Sequence, residues 1–219
     1  MLGRDRQAFA GFRGGHVNSS AIADLFAVKY MAMPLAGAGI PAVFSEPVFQ
    51  RDDAVVLAKR DPIPRFHLAC RARPAPDDME GFLSLVDSGR IDFRREVLAP
   101  PGTKFANDWS RCRSDPRAFF ELRETAPGLL QGRVSLSQPA LLVLTQTYDP
   151  GWEAFIDGKA APVQRANYAF QVVELPAGMG ALELRFRPKH YTRGVWATGL
   201  AAAFLVVLWA LPLLRKPWA

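Results

Sequence analysis

The spacing of apolar residues changes character several times along the chain, and each change marks a predicted element. NSSAIADLFAVKYMAM reads as a capped helical turn followed by a short apolar strand at roughly 28–33. AVVLAK (54–59) and RFHLAC (65–70) are extended runs, because the two prolines of the intervening RDPIP exclude a helix. The period then lengthens in DDMEGFLSLVDSG, where Met79, Phe82, Leu83 and Val86 fall on one helical face. Asp77 or Asp78 supplies the cap, Gly89 the stop, and the stripe is expected to cover an edge of a sheet.

From Phe119 onward the pattern is that of strands. FFELRET, LLQGRVSLS and ALLVLTQTY are each closed by Pro, Gly or Ser-Gln-Pro punctuation. ALELRFRP alternates, with Leu182, Leu184 and Phe186 on one face and Glu183, Arg185 and Arg187 on the other. Many short antiparallel strands with one good helix predict a mainly β domain, a sandwich or jelly-roll-like fold.

The pattern ends in GVWATGLAAAFLVVLWALPLL, residues 194–214, which has no charge and no polar face. At a rise of about 1.5 Å per residue this run spans roughly the 30 Å of a bilayer's hydrocarbon core, so it predicts a transmembrane helix. Trp196, Trp209 and Trp218 with Arg193, Arg215 and Lys216 read as interfacial anchors. The expected organisation is a loose, charged, Gly-rich segment at 1–18, a β-rich domain at 19–190, a membrane helix at 193–214 and a short basic tail at 215–219. The first twenty residues do not read as a signal peptide. Basic residues flank the helix on both sides, so charge alone leaves its orientation open.

Composition narrows the function classes. The 27 basic and 21 acidic residues give a net charge of +6 spread along the chain, without the basic stripe interleaved with aromatics that marks a nucleic-acid interface. His16, His67 and His190 lie apart from other metal-type ligands, and no metal or cofactor is expected. Cys70 and Cys112 have neither zinc-site spacing nor the density of a disulfide scaffold; one disulfide in an oxidising compartment stays open.

YDPGWEAFIDGK, residues 148–159, poses the main chemical question. Pro150 and Gly151 predict a tight turn, Trp152, Ala154 and Ile156 share a strand face, and Asp157-Gly158 predicts a type I′ hairpin after which APVQ returns antiparallel. Glu153 and Asp157 would lie roughly 13 Å apart along a strand, beyond the carboxyl separations of glycosidases, so these acids read as turn and surface residues. Tyr148, Trp152 and Tyr168 carry two readings: core packing, or an aromatic platform for a sugar ring, with Asn167 as a turn residue or a ligand-binding amide.

YDPGWEAFIDGKAAPVQRANYAFQVVELPAG, followed by a strand, an Arg-Pro element and a hydrophobic helix, resembles the C-terminal segment of the bacterial YfhO family, polytopic membrane proteins related to the GT-C glycosyltransferases. The resemblance extends to DLFAVKYMAM, IPRFHLA (63–69) and RIDFRREVLAP (90–99). It implies a role in transferring a sugar from a lipid-linked polyprenyl-phosphate donor to a cell-envelope polymer or lipid, outside the bacterial cytoplasmic membrane. The family's catalytic acid and other membrane helices would lie upstream of these residues, so no catalytic residue is carried over. The implied partners are the bilayer, other transmembrane helices of the same or a separately encoded protein, and an envelope glycan. Small residues at Gly199/Ala203 and Ala197/Ala201 would allow close helix packing. Two other functions fit the residues: a membrane-anchored carbohydrate-binding module, and a tail-anchored protein with a cytoplasmic interaction domain.

Overall fold

A computed structural model describes residues 20–34, 44–111, 115–188 and 190–214. The segment expected to be loose at 1–18, Cys112 and the basic tail at 215–219 lie outside the described residues. Two sheets face each other across one core. The first is five-stranded, in the order β11 (Lys159–Ala161), β10 (Trp152–Ile156), β14 (Gly178–Phe186), β8 (Leu129–Leu136) and β7 (Phe119–Ala126). The second is four-stranded, in the order β12 (Val163–Ala166), β13 (Phe170–Leu175), β9 (Ala140–Leu144) and β4 (Phe66–Ala69). Every pairing in both is antiparallel. Leu130, Val134, Leu142, Leu144, Trp152, Val173, Leu182 and Leu184 interdigitate between them, so the domain is a β-sandwich.

The two sheets read differently in sequence because they are covered differently. β9 is buried at all five positions and β13 at all but one. Their second face packs Leu141, Val143 and Val172 against Val97 and Trp109, and a strand covered on both sides carries a continuous apolar run. β14 keeps one face in water and alternates, Leu182 and Leu184 inward, Glu183 and Arg185 outward. On that wet face Arg185 bonds Glu153 at 3.0 Å and lies 4.1 Å from the Phe155 ring centroid.

Outside the four-stranded sheet lies a second layer. β5 (Arg71–Pro74) and β6 (Glu96–Ala99) pair in parallel, beside the antiparallel sandwich that the sequence predicts. The crossover between them contains helix α2 (Met79–Asp87), as parallel neighbours require. Asp78, not Asp77, is the cap, accepting from the Gly81 N–H, and Gly89 follows the helix at φ +67. Phe82 and Val86 are buried with Ile91, Phe93 and Leu98. Met79, placed on the same stripe by its spacing, is exposed.

Helix α1 (Ser20–Leu25) and the three-stranded sheet of β1 (Tyr30–Pro34), β3 (Ala54–Lys59) and β2 (Phe44–Gln50) form a smaller cluster, with Lys59 buried against Asp24 at 2.6 Å. A correction concerns APVQ. Only Lys159–Ala161 returns along β10; past Pro162, which has no N–H to give the ladder, the chain enters the other sheet as β12.

Helix α3 (Tyr191–Leu214) leaves the end of β14. Its stretch Arg193–Ala210 has a mean hydropathy of 1.6 and is not buried anywhere against the rest of the chain, and the helix is long and apolar enough to cross a membrane.

Trp152 closes the sandwich core near this exit, its ring 5.3 Å from that of Phe186. Trp152→Ala is expected to lower stability by about 3–5 kcal/mol, the range for emptying a buried aromatic site. Chemical denaturation of the full chain in detergent measures it, and a loss under about 1 kcal/mol would mean the indole is not a core anchor.

Candidate functional site

The acidic residues of 148–159 are occupied by the backbone. The Asp149 carboxylate accepts from the Gly151 N–H at 2.7 Å, and its carbonyl accepts from Trp152 N–H at 3.0 Å, closing the turn that Pro150 starts. The Gly151 carbonyl then accepts from the Arg187 N–H at 2.7 Å. A Cβ at Gly151 would stand 2.9 Å from Asp149 Oδ1, 3.0 Å from Pro188 Cα and 3.1 Å from Arg187 O, so any side chain here would have to push these groups back. The Pro188 carbonyl in turn accepts from Tyr191 N–H, the first residue of α3.

Asp157 and Gly158 sit at φ +49 and +76, the type I′ geometry expected. Asp157 grips a single residue of β14, its N–H donating to Ala181 O at 2.9 Å and its carboxylate accepting from Ala181 N–H at 2.8 Å. Glu153 is the Arg185 partner.

A second turn repeats this device. Asn167, at φ +49 and buried, donates its N–H to Leu98 O at 2.7 Å and accepts Leu98 N–H on Oδ1 at 2.8 Å, pinning β6 to the β12–β13 hairpin. Its next residue is not the usual glycine. Tyr168 is held at φ +69, uncommon for an aromatic residue, with its ring 5.3 Å from Phe82 and much of its surface exposed.

Tyr148 and Tyr168 line one open cleft of about 510 Å³, together with Arg165, Asp77 and the rings of Pro76 and Pro100. The Arg165 guanidinium lies 5.3 Å from the Tyr148 ring centroid. Tyr148 is fixed from both sides: its N–H donates to Ala169 O at 2.7 Å, and the buried Gln171 amide donates to Thr147 O at 3.1 Å. Of the four residues singled out in sequence, the cleft brings together the two tyrosines. Asn167 lies beneath its rim with its oxygen engaged, and Trp152 is in the core. Arg165 went unread and Asp77 was read only as a helix cap; the one local signal was Asn-Tyr where a type I′ turn favours Asn-Gly.

The remaining polar clusters have structural partners. Glu174 receives Ala106 N–H, Asn107 N–H and Trp109 Nε1–H, at 2.6, 3.1 and 2.8 Å, and so holds the 106–109 loop on the sheet. Asp108 and Asp115 are held below the usual carboxylate range, chiefly by the backbone N–H groups of Ser110 and Ser137 respectively. Burial pushes the His67 imidazole below its ordinary value, against the raising effect of the Phe93 and Pro64 carbonyls that face its ring nitrogens. Cys70 is disulfide-bonded and borders a second cavity of about 430 Å³ beside Trp109 and Arg111. Among the described residues no group of three or more His, Cys, Asp or Glu could hold a metal ion.

Residues 120–198 match the family model described as bacterial membrane protein YfhO. The matched segment runs from β7 through β14 into the first turns of α3, and over it the YfhO resemblance read from the sequence is shown. No curated protein matches the chain, and no solved structure does.

Asn167→Gly keeps the left-handed backbone free of strain but removes the acceptor for the buried Leu98 N–H. It is expected to cost about 1–3 kcal/mol in thermal or denaturant unfolding. An unchanged transition would show that the β6 clamp contributes nothing.

Proposed function

We propose that this chain is a non-catalytic, extracytoplasmic module of a YfhO-type membrane protein that takes part in lipid-linked sugar transfer to cell-envelope glycopolymers or lipids. The sandwich lies outside the cytoplasmic membrane and α3 crosses it once, packing on other transmembrane helices of the same protein or of a separately encoded one. The observation that carries this reading is the continuity of the YfhO match from the five-stranded sheet into α3, across a junction where Gly151 bonds Arg187. Sandwich and helix are built as one unit. The bonded state of Cys70 supports an oxidising, external location. Asp149, Glu153 and Asp157, the acids of residues 148–159, hold turns and strands, which favours a supporting role over acid–base chemistry.

Met179 is the most exposed large apolar side chain of the sandwich, at 84%. Met179→Cys in intact spheroplasts is expected to react with a membrane-impermeant maleimide. Protection of that thiol until the cells are lysed would put the domain in the cytoplasm, and glycosyl transfer by the purified chain alone would overturn the non-catalytic role.

A further inference from the structure

The tyrosine cleft lies at the end of the sandwich from which α3 departs. Tyr148 is three residues from Gly151, a distance of at most about 10 Å along the chain. Gly151 touches Arg187 and Pro188, and Pro188 caps the first residue of α3. A ligand in this cleft therefore sits at the surface of whatever α3 is inserted into.

The lining has a definite charge pattern. Arg165 supplies a planar cation, Asp77 an anion, and neither has an ion-pair partner among the described residues. Two tyrosine rings stand beside them, one already in cation–π geometry with Arg165. A guanidinium matches a phosphate's oxygens, while a carboxylate with aromatic faces matches an ammonium group. One positive and one negative side chain favour a zwitterion over a purely anionic or a neutral ligand. The strained backbone at Tyr168 keeps a phenol ring at the rim where glycine would fit the turn without strain.

We propose that the cleft is a docking site for the phosphoethanolamine headgroup of a membrane phospholipid, with Arg165 on the phosphate and Asp77, Tyr148 and Tyr168 on the ammonium. Such a contact fixes the sandwich against the bilayer surface at the foot of α3. It rests on α3 lying in the membrane and not on the sugar-transfer reading.

The test is native mass spectrometry of the full chain purified with equimolar phosphatidylethanolamine and phosphatidylglycerol, alongside liposome flotation. Phosphatidylethanolamine is expected to be retained in preference, with retention falling about tenfold in Arg165→Gln and in Asp77→Asn, the loss of one charge-assisted contact. Flotation of both variants stays as in the parent chain. Millimolar glycerophosphoethanolamine is expected to displace the retained lipid. Equal retention of the two lipids, retention unaffected by both variants, or displacement only by a neutral envelope oligosaccharide would overturn the proposal. Failure of the parent chain to float would overturn the anchor on which it rests, and leaves glycosyl transfer to be judged by its own assay.

Discussion

The close approach at Gly151 is the constraint on which the rest of the structure depends. Its carbonyl takes the Arg187 N–H at 2.7 Å, and the missing side chain lets Pro188 pass against its backbone. That contact carries the β10–β14 ladder past its last pair, Trp152 with Phe186, up to the start of α3. It thereby fixes where the helix leaves the sandwich and which loops stand beside it. The Asp149–Gly151 turn, the β7–β8 turn at Gly128, whose carbonyl takes the Phe186 N–H, and the tyrosine cleft all cluster at this end.

Two hairpins then grip neighbouring strands by one device. A residue in the left-handed region turns both its N–H and its side-chain oxygen onto one residue of a neighbouring strand: Asp157 onto Ala181, Asn167 onto Leu98. Short Asx side chains tolerate this conformation and reach back to the backbone, which is why both positions are Asp or Asn. The carboxylate and amide that looked like candidate chemistry are consumed in folding. What the hairpin displays at the cleft is Arg165 on one side and Tyr168 on the other.

Much of this was legible in sequence because it is local. The alternation of ALELRFRP, the Asp-Gly turn, the Asp-Pro-Gly turn and the uncharged tail each express a rule that operates within about ten residues. What could not be read depends on distant partners. The unbroken apolar run of β9 signals burial on both faces but not which layer covers it, and that layer is the parallel pair β5–β6. The switch of sheets at Pro162 leaves no periodic trace. The cleft is assembled from Asp77, Tyr148 and Arg165, remote in sequence, beside the Asn167–Leu98 clamp that joins the outer layer to the hairpin.

With α3 in the membrane, the Gly151 end of the sandwich is expected to rest on the bilayer and the opposite end to point away. The exposed β7–β8 turn at Pro127 and Met179 at the far end of β14 are separated by a strand of roughly 27 Å. Nitroxide labels at Pro127→Cys and Met179→Cys, in the full chain reconstituted with headgroup-chelated nickel lipids, report their relative depth through relaxation enhancement. Strong enhancement at 127 with little at 179 is the predicted result; equal enhancement, or the reverse order, would contradict it.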